Sequence, residues 1–220
     1  MRRSLLAPLV FIALTSIANS QALSEADVEN LLARIRENRM TQADFQEEKV
    51  IRFMTKPILS SGRVWFQPPN KFRREVKGNS PSLTMSDGHQ LWIYYPNFKS
   101  AERYSLSAGS AVDSVVASIN SALNLENIES HFHIAAQKVG PPQGGYELEL
   151  TPRTVSMKRV FQKLTMRINE KLEAQRTDMV QPDGDRIATT YSNQSRAPVP
   201  ASTFEFTPPP GTSISTPLGR

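Results

Sequence analysis

Short segments that alternate apolar and polar residues recur along most of this chain, and they constrain its fold more than any other feature. Residues 62–67 alternate and stop at Pro68-Pro69-Asn70, while residues 146–151 and 164–169 alternate without interruption. A period of two places successive side chains on opposite faces of a β-strand. The pattern predicts about nine to eleven strands, joined mostly by short turns.

Two turn sequences indicate that neighbouring strands are antiparallel. Asp87-Gly88 separates two apolar segments, and Pro182-Asp183-Gly184-Asp185 separates two others. Glycine accepts a positive φ at little cost, which suits tight hairpin turns. A long antiparallel sheet with one apolar face curls and buries that face. Large side chains expected on the inner face are Trp65, Phe72, Trp92, Tyr94, Phe161, Met166 and Phe204.

Two segments show helical spacing instead. Residues 24–38 have Ser24 as a candidate N-cap and Asp27 three residues later, followed by apolar residues at i, i+3, i+4 and i+7. Residues 109–130 contain many small and apolar residues at the same spacing and predict one helix or two short ones. We expect both helical segments to cover the concave side of the sheet.

The first 22 residues have the features of a secretion signal. Arg2 and Arg3 precede an apolar run from Leu5 to Ala18, and Ser20-Gln21-Ala22 is a small-x-small cleavage site. The mature chain is expected to begin at Leu23 and to form one domain over residues 23–211. The Ser/Thr/Pro-rich tail, 212–220, is expected to be disordered.

The composition excludes several kinds of site. The chain has no cysteine, which excludes disulfides, thiolate catalysis, cysteine-ligated zinc and a lipid anchor on an N-terminal cysteine. The formal net charge is +5, and the lysines and arginines are scattered rather than clustered as nucleic-acid binding requires.

Three local combinations resemble chemical sites, and each has a simpler interpretation. Ser86, Asp87 and His89 have the residue types of a catalytic triad, but they crowd on one turn, which cannot provide triad geometry. His131 and His133 could share a strand face and bind zinc, although no third ligand lies nearby in the sequence. A hairpin explains residues 183–185 better than calcium. We therefore predict that the protein is not an enzyme and holds no metal or cofactor.

Three ordered motifs resemble those of a known family. Residues 62–73 are similar to the G-x-[LV]-W-x-x-[RP]-P-[NG]-x-[FL] segment of periplasmic lipoprotein carriers of the LolA type. Residues 86–96 resemble that family's S-D-G-x-x-[LV]-W-x-Y-x-P, and residues 204–211 resemble its closing F-x-F-x-P-P-x-G. Phe45-Gln46 is similar to its early F-x-Q element, whereas residues 105–145 agree only in character.

The resemblance implies a mainly β, α+β fold: a half-open antiparallel barrel whose concave face is lidded by helices. It also implies a soluble, monomeric carrier in the periplasm that holds lipoprotein acyl chains, receives them from an inner-membrane transporter and passes them to an outer-membrane acceptor. The candidate cavity lining is Trp65, Phe72, Leu83, Met85, Trp92, Tyr94, Leu148, Leu150, Met166 and Ile168. The candidate lid residues are Val112, Val115, Val116 and Ile119.

One position departs from the family pattern. Typical members carry an arginine before the Pro-Asn pair, where it hydrogen-bonds the lid, and this chain has Pro68 there. Proline cannot donate such a bond. Arg63, Arg73 and Arg74 are the candidates to replace it, and a paralogue with different cargo fits the departure.

Two alternatives stay open at the level of the sequence. The aromatic residues of the strands could line a lipid cavity or could form an ordinary core, because aromatic residues are common in strands. The function could be that of a lipoprotein carrier, of a periplasmic lipid-binding or sensor module on the same fold, or of a hydrolase. Lipid that co-purifies would favour the carrier, and turnover of an ester would favour the hydrolase.

Overall fold

The computed structural model describes residues 20–106, 128–159 and 162–217. Its main feature is a single sheet of 13 strands in the order β1-β8-β9-β10-β11-β12-β2-β3-β4-β5-β6-β7-β13. The strands are β1 (Gln21–Ala22), β2 (Gln42–Val50), β3 (Ile58–Gln67), β4 (Lys71–Lys77), β5 (Ser82–Asp87), β6 (Gln90–Tyr95), β7 (Ser100–Ser105), β8 (Phe132–Lys138), β9 (Tyr146–Pro152), β10 (Lys163–Ile168), β11 (Ala174–Val180), β12 (Arg186–Ser195) and β13 (Ser213–Ser215).

The sheet is open, because β1 and β13 form its two edges. Neighbouring strands are antiparallel except for β13, which pairs parallel with β7. The predicted fold class, a mainly β protein built on an open barrel-like antiparallel sheet, is confirmed. The predicted strand number was slightly low, since the two edge strands are too short to show alternation.

The first predicted helix is confirmed as α1 (Glu25–Glu37). Ser24 is its N-cap, and the hydroxyl of Ser24 accepts a hydrogen bond from the backbone N–H of Asp27. Two further helices of one turn each are α2 (Ile128–His131) and α3 (Val155–Lys158). Within the three described ranges, no helix is long and apolar enough to span a bilayer.

Two predictions about the ends of the chain need correction or comment. The tail was predicted to be disordered from Thr212, and the structure instead places Ser213–Ser215 in β13, where backbone hydrogen bonds to β7 hold it. Gln21 and Ala22, which we assigned to the signal, form β1 and pair with Lys138 and Gln137 of β8. The cleavage position itself stays a prediction.

Strand register defines the two faces of the sheet. We call the face on which α1 packs the inner face, and the other the outer face. On the inner face, Leu31, Leu32 and Ile35 of α1 pack against strands β8 to β10. The inner-face residues of those strands share a face with Phe72, because cross-strand pairs connect them through β11, β12, β2 and β3 to β4.

Candidate lipid-binding face

The inner face of β2, β3 and β4 carries a cluster of large apolar side chains. Phe45, Phe66 and Phe72 are each at most 2% exposed. Phe66 pairs directly with Phe72, and Gly62 lies opposite Phe45. A Cβ on Gly62 would lie 2.9 Å from the Phe45 ring and 1.8 Å from the carbonyl oxygen of Glu75. The absence of a side chain at Gly62, the glycine of the first motif, therefore leaves room for the Phe45 ring to pack against the sheet.

A second apolar cluster lies on the same face toward the other edge. Leu148, Leu150, Met166 and Ile168 are buried there, with the apolar side of α1 packed over them. These four residues and Phe72 thus occupy the inner face, as the alternation predicted. That they contact lipid stays a prediction.

The other five predicted lining residues lie on the outer face, so the prediction of one shared lining is wrong for them. Cross-strand pairs join Trp65 to Arg73, Arg73 to Met85, and Met85 to Trp92. Trp65 and Arg73 directly precede or follow Phe66 and Phe72 in the sequence, so this row of paired residues lies on the opposite face of the sheet. The five residues on the outer face are Trp65, Leu83, Met85, Trp92 and Tyr94.

The cause is a second apolar covering element on the outer face. The ring of Phe206 lies 5.6 Å from that of Trp92 and 5.4 Å from that of Tyr94, centroid to centroid. Arg73 donates a hydrogen bond to the carbonyl of Thr203 in the same C-terminal segment. Strand β6 is consequently apolar on both faces, which hides the phase of its alternation, whereas β5 is apolar only on the outer face, where Leu83 and Met85 lie. Phe204, also expected inside, belongs to this covering segment, and Phe161 and the four lid residues lie outside the described residues.

A charged pair lies within the inner face beside the aromatic cluster. Arg74 donates a hydrogen bond of 2.7 Å to Glu47, and the two side chains are 26% and 21% exposed. The Arg74 guanidinium also lies over the Phe45 ring, 4.4 Å from its centroid. Ser60 and Thr189 donate longer hydrogen bonds to Glu47. The sequence could have revealed Arg74, which stands two residues after Phe72 and so shares its face.

Of the three arginines that could replace the missing family arginine, the structure places only Arg74 on the inner face. Arg63 lies on the outer face near Asp44, and Arg73 lies there between Glu75 and the Thr203 carbonyl. Pro68 follows the end of β3. If an arginine of this group contacts a lid on the inner face, it is Arg74.

Tyr191 lies next to the Arg74–Glu47 pair, on the inner face of β12 opposite Phe45. Burial raises the pKa of Tyr191 to about 12, with a smaller contribution in the same direction from Glu47; the hydrogen bond with Thr177 and the charge of Arg74 act in the opposite direction. The phenol is therefore neutral at physiological pH and adds polarity without charge.

Two hollows lie on the sheet, the first on this face and the second mainly on the outer face. The apolar one, about 410 Å³, lies between α1 and β8. Its apolar lining includes Leu23, Val28, Leu32, Phe132 and Ile134. A groove of about 740 Å³ at the ends of β2, β3 and β4 is lined largely by polar and charged side chains. The volume of the first hollow falls in the range of ligand pockets, about 300–1,000 Å³, and its lining suits an apolar ligand.

The triad-like residues stabilise their own turn, and the two histidines lie on different elements. Ser86 is buried and donates a hydrogen bond to the carbonyl of Asn70, and Asp87 accepts from the backbone N–H groups of His89 and Gln90. His131 ends α2 while His133 lies on β8, so the predicted shared strand face is wrong for them. No group of three or more potential metal ligands occurs in the described part of the chain.

Comparison with known proteins identifies the family. The model of the outer membrane lipoprotein carrier protein LolA matches residues 37–207, which is most of the chain. This chain belongs to the LolA family. The match spans α1's end, the inner-face clusters and the Phe204–Phe206 segment.

Curated relatives of the LolA family support the assignment at modest identity. An outer-membrane lipoprotein carrier protein of Dechloromonas aromatica is 27% identical over 188 residues, covering 85% of this chain and 86% of the relative. One from Erwinia tasmaniensis is 24% identical, covering 92% and 93%. Among solved structures, an uncharacterized conserved protein from Thermus thermophilus has the same fold, with a TM-score of 0.53, 14% identity and coverage of 86% of this chain and 99% of that one.

Proposed function

We propose that this LolA-family protein is a periplasmic carrier that shields the acyl chains of lipoproteins on its inner face. The observation that carries the proposal is the apolar hollow between α1 and β8, which opens from the buried inner-face cluster. Strand β8 forms the floor of the hollow, and helix α1 forms its wall. A helix that contacts the sheet through one apolar stripe can move without breaking strand pairs.

Carriage requires no covalent step by the protein. A lipoprotein's acyl methylenes each gain roughly 0.8 kcal/mol on leaving water, so an apolar face supplies affinity without directional contacts. Release requires that the apolar face be imperfectly matched to the cargo. A hollow that is open at its rim, where Glu25, Glu29, Glu129 and Arg153 lie, fits that requirement better than a sealed cavity. We infer a carrier and not an enzyme.

The proposal extends to the partners that the resemblance to LolA-type carriers implies. An inner-membrane lipoprotein transporter would load the protein, an outer-membrane acceptor would unload it, and the carrier would act as a monomer between them. Residues 1–22 would direct it to the periplasm and be removed. Arg74, in place of the family arginine at Pro68, would contact the lid that the sequence predicts within residues 109–130.

Acyl-probe binding to matched variants of α1 tests the proposal. Val28 lines the hollow and is partly buried, whereas Ala26 is exposed on the same helix. Val28→Gln is expected to weaken binding of a fluorescent fatty acid several-fold, because it places an amide in an apolar site. Ala26→Gln should bind as the wild type does. Equal effects of the two substitutions, or no uptake by the wild type at micromolar protein, would contradict the proposal.

Native mass spectrometry of protein purified from the periplasm identifies the cargo class. A mass increase matching an acylated lipoprotein or its lipopeptide supports lipoprotein carriage. A phospholipid or free fatty acid as the sole bound species would instead favour a lipid-binding or sensor module on the LolA fold.

A further inference from the structure

The tip of the β2–β3 hairpin exposes an unusual concentration of large apolar side chains. In the described ranges, eight large hydrophobic residues are exposed, and five of them lie on this hairpin. Phe53 is 88% exposed and Leu59 is 74% exposed. The five residues are Val50, Phe53, Met54, Ile58 and Leu59. Single exposed apolar residues are ordinary on protein surfaces, but a cluster of them marks an interaction site.

The charged residues within the hairpin tip are all basic. Residues 49–59 include Lys49, Arg52 and Lys56 and no acidic residue. The carboxylate of Asp185 is 8% exposed; it accepts a hydrogen bond from the backbone N–H of Arg52 and lies 3.9 Å from the Lys49 ammonium. Two exposed acids flank the tip: Glu48 pairs with Leu59 at the base of the hairpin, and Asp183 lies in the β11–β12 turn. Asp185 is thus used inside the structure, and the charged side chains of the turn itself, residues 51–57, are Arg52 and Lys56.

The tip is held in place. The hydrogen bond from Arg52 to Asp185 ties it to the β11–β12 turn, and the N–H of Met54 bonds to the carbonyl of Ile51 within the turn. The exposed side chains are therefore displayed from a fixed turn, at the end of the sheet where the β4–β5 and β6–β7 connections also lie.

We propose that this hairpin tip docks on an anionic lipid bilayer, with Phe53, Met54 and Leu59 entering the interface and Arg52 and Lys56 contacting the headgroups. Two physical arguments favour a bilayer over a protein partner. A stable protein interface needs about 800 Å² on each side, which is far more than one narrow turn provides. Apolar side chains flanked by cations match a surface that has a negative outer layer above hydrocarbon. The inference stands on the exposed tip alone and holds whatever the inner face binds.

Vesicle flotation tests the inference. Protein purified from the periplasm is mixed with phosphatidylethanolamine–phosphatidylglycerol vesicles or with pure phosphatidylcholine vesicles, after mass spectrometry has verified that the apolar leader is absent. Co-flotation with the anionic vesicles, weakening as salt is raised, is expected. Equal binding to both compositions would overturn the proposed contact with an anionic surface. Binding to neither would overturn docking on a bilayer and would leave a protein partner as the occupant of the tip.

Variants locate the contact. Phe53→Ser combined with Leu59→Ser should weaken vesicle binding about tenfold or more, because both side chains lose apolar surface that leaves water on docking. Arg52→Gln combined with Lys56→Gln should remove most of the preference for anionic lipid. Phe98→Ser is the matched control, since Phe98 is 80% exposed on a different turn. A loss with Phe98→Ser as large as that of the hairpin pair would overturn the assignment to the hairpin.

A spectroscopic readout keeps the test independent of protein yield. In a Phe53→Trp variant, the added tryptophan emission should shift to the blue and become protected from acrylamide when anionic vesicles are added. Trp65 and Trp92 provide the background, which the wild type measures. No shift would contradict docking by the tip. Fatty-acid uptake should be the same in the hairpin variants as in the wild type, so failure of the carrier proposal and failure of membrane docking are distinguishable.

Discussion

The two faces of the sheet are both apolar in part, but they are covered in different ways. A helix of three to four turns, α1, packs on the inner face and leaves an apolar hollow beside β8. A short C-terminal segment packs on the outer face and fills its apolar patch with ring contacts between Phe206, Trp92 and Tyr94. The comparison shows that apolar character alone does not identify a binding face; the covering element does. A helix beside a hollow suits reversible opening, whereas a segment anchored through β13 suits permanent closure.

The largest expected effect is a difference in unfolding free energy between removing a buried inner-face ring and removing a half-buried outer-face ring. Phe72→Ala should lower the free energy of unfolding by about 3–5 kcal/mol, because it opens a cavity in a packed cluster. Trp65→Ala, which removes a ring that lies 5.6 Å from the Arg63 guanidinium, should cost about 1–2 kcal/mol. Urea unfolding measures both. Similar costs would mean that the two faces are packed alike.

The outer-face covering can be removed separately. Phe206→Ala should cost about 2–3 kcal/mol in unfolding free energy, since the substitution removes apolar burial and two aromatic contacts. Fatty-acid binding per folded molecule should stay unchanged, because the hollow lies on the other face. A several-fold fall in that binding, with the folded fraction controlled by circular dichroism, would contradict the separation of the faces.

A third comparison uses one arginine from each face. The Arg74–Glu47 pair is short and about one-quarter exposed, while Arg63 and Asp44 are 3.7 Å apart and about 40% exposed. Arg74→Met should cost about 1–3 kcal/mol, because it leaves Glu47 without its cation beside Phe45. Arg63→Met should cost less than about 1 kcal/mol, as for other exposed pairs. Thermal unfolding of the two variants gives the difference, and an equal shift in Tm would remove the distinction between the pairs.

The sequence predicted the face of a residue correctly where its strand alternates clearly between apolar and polar residues, and failed where it does not. Leu148, Leu150, Met166 and Ile168 were assigned to the inner face because β9 and β10 alternate strictly. Residues 91–95 are apolar without interruption, so the phase of β6 could not be obtained from periodicity, and Trp92 and Tyr94 were assigned to the wrong face. The covering of that strand by Phe206 is a contact between distant parts of the chain, which no local pattern encodes.

The polar part of the inner face shows the same limit. Arg74 follows Phe72 by two residues, so its face was available from the sequence. Its partner, Glu47, lies two strands away across β3, and only the register of three strands brings them together. Gly62, the first residue of the first motif, carries no side chain between them. Local alternation therefore predicts the face of the sheet on which a residue lies, whereas its partners on other strands can be identified only from the strand register.

The smallest expected effect concerns Tyr191 on the inner face. The pKa of Tyr191 is raised to about 12, chiefly by burial, so the folded protein holds the phenolic proton more tightly than the unfolded chain, whose tyrosine pKa is near 10. The resulting stabilisation is complete below pH 10 and is lost as the pH rises toward 12. At neutral pH, Tyr191→Phe should change the unfolding free energy by less than about 1 kcal/mol, because the hydrogen bond to Thr177 is long. Between pH 10 and 12 the wild type should lose stability more steeply than this variant, as measured by urea unfolding at each pH. Tyr104 is the control, since its pKa is also about 12 and remains in both proteins; parallel alkaline slopes in the wild type and the variant would show that Tyr191 is not held in an apolar inner face.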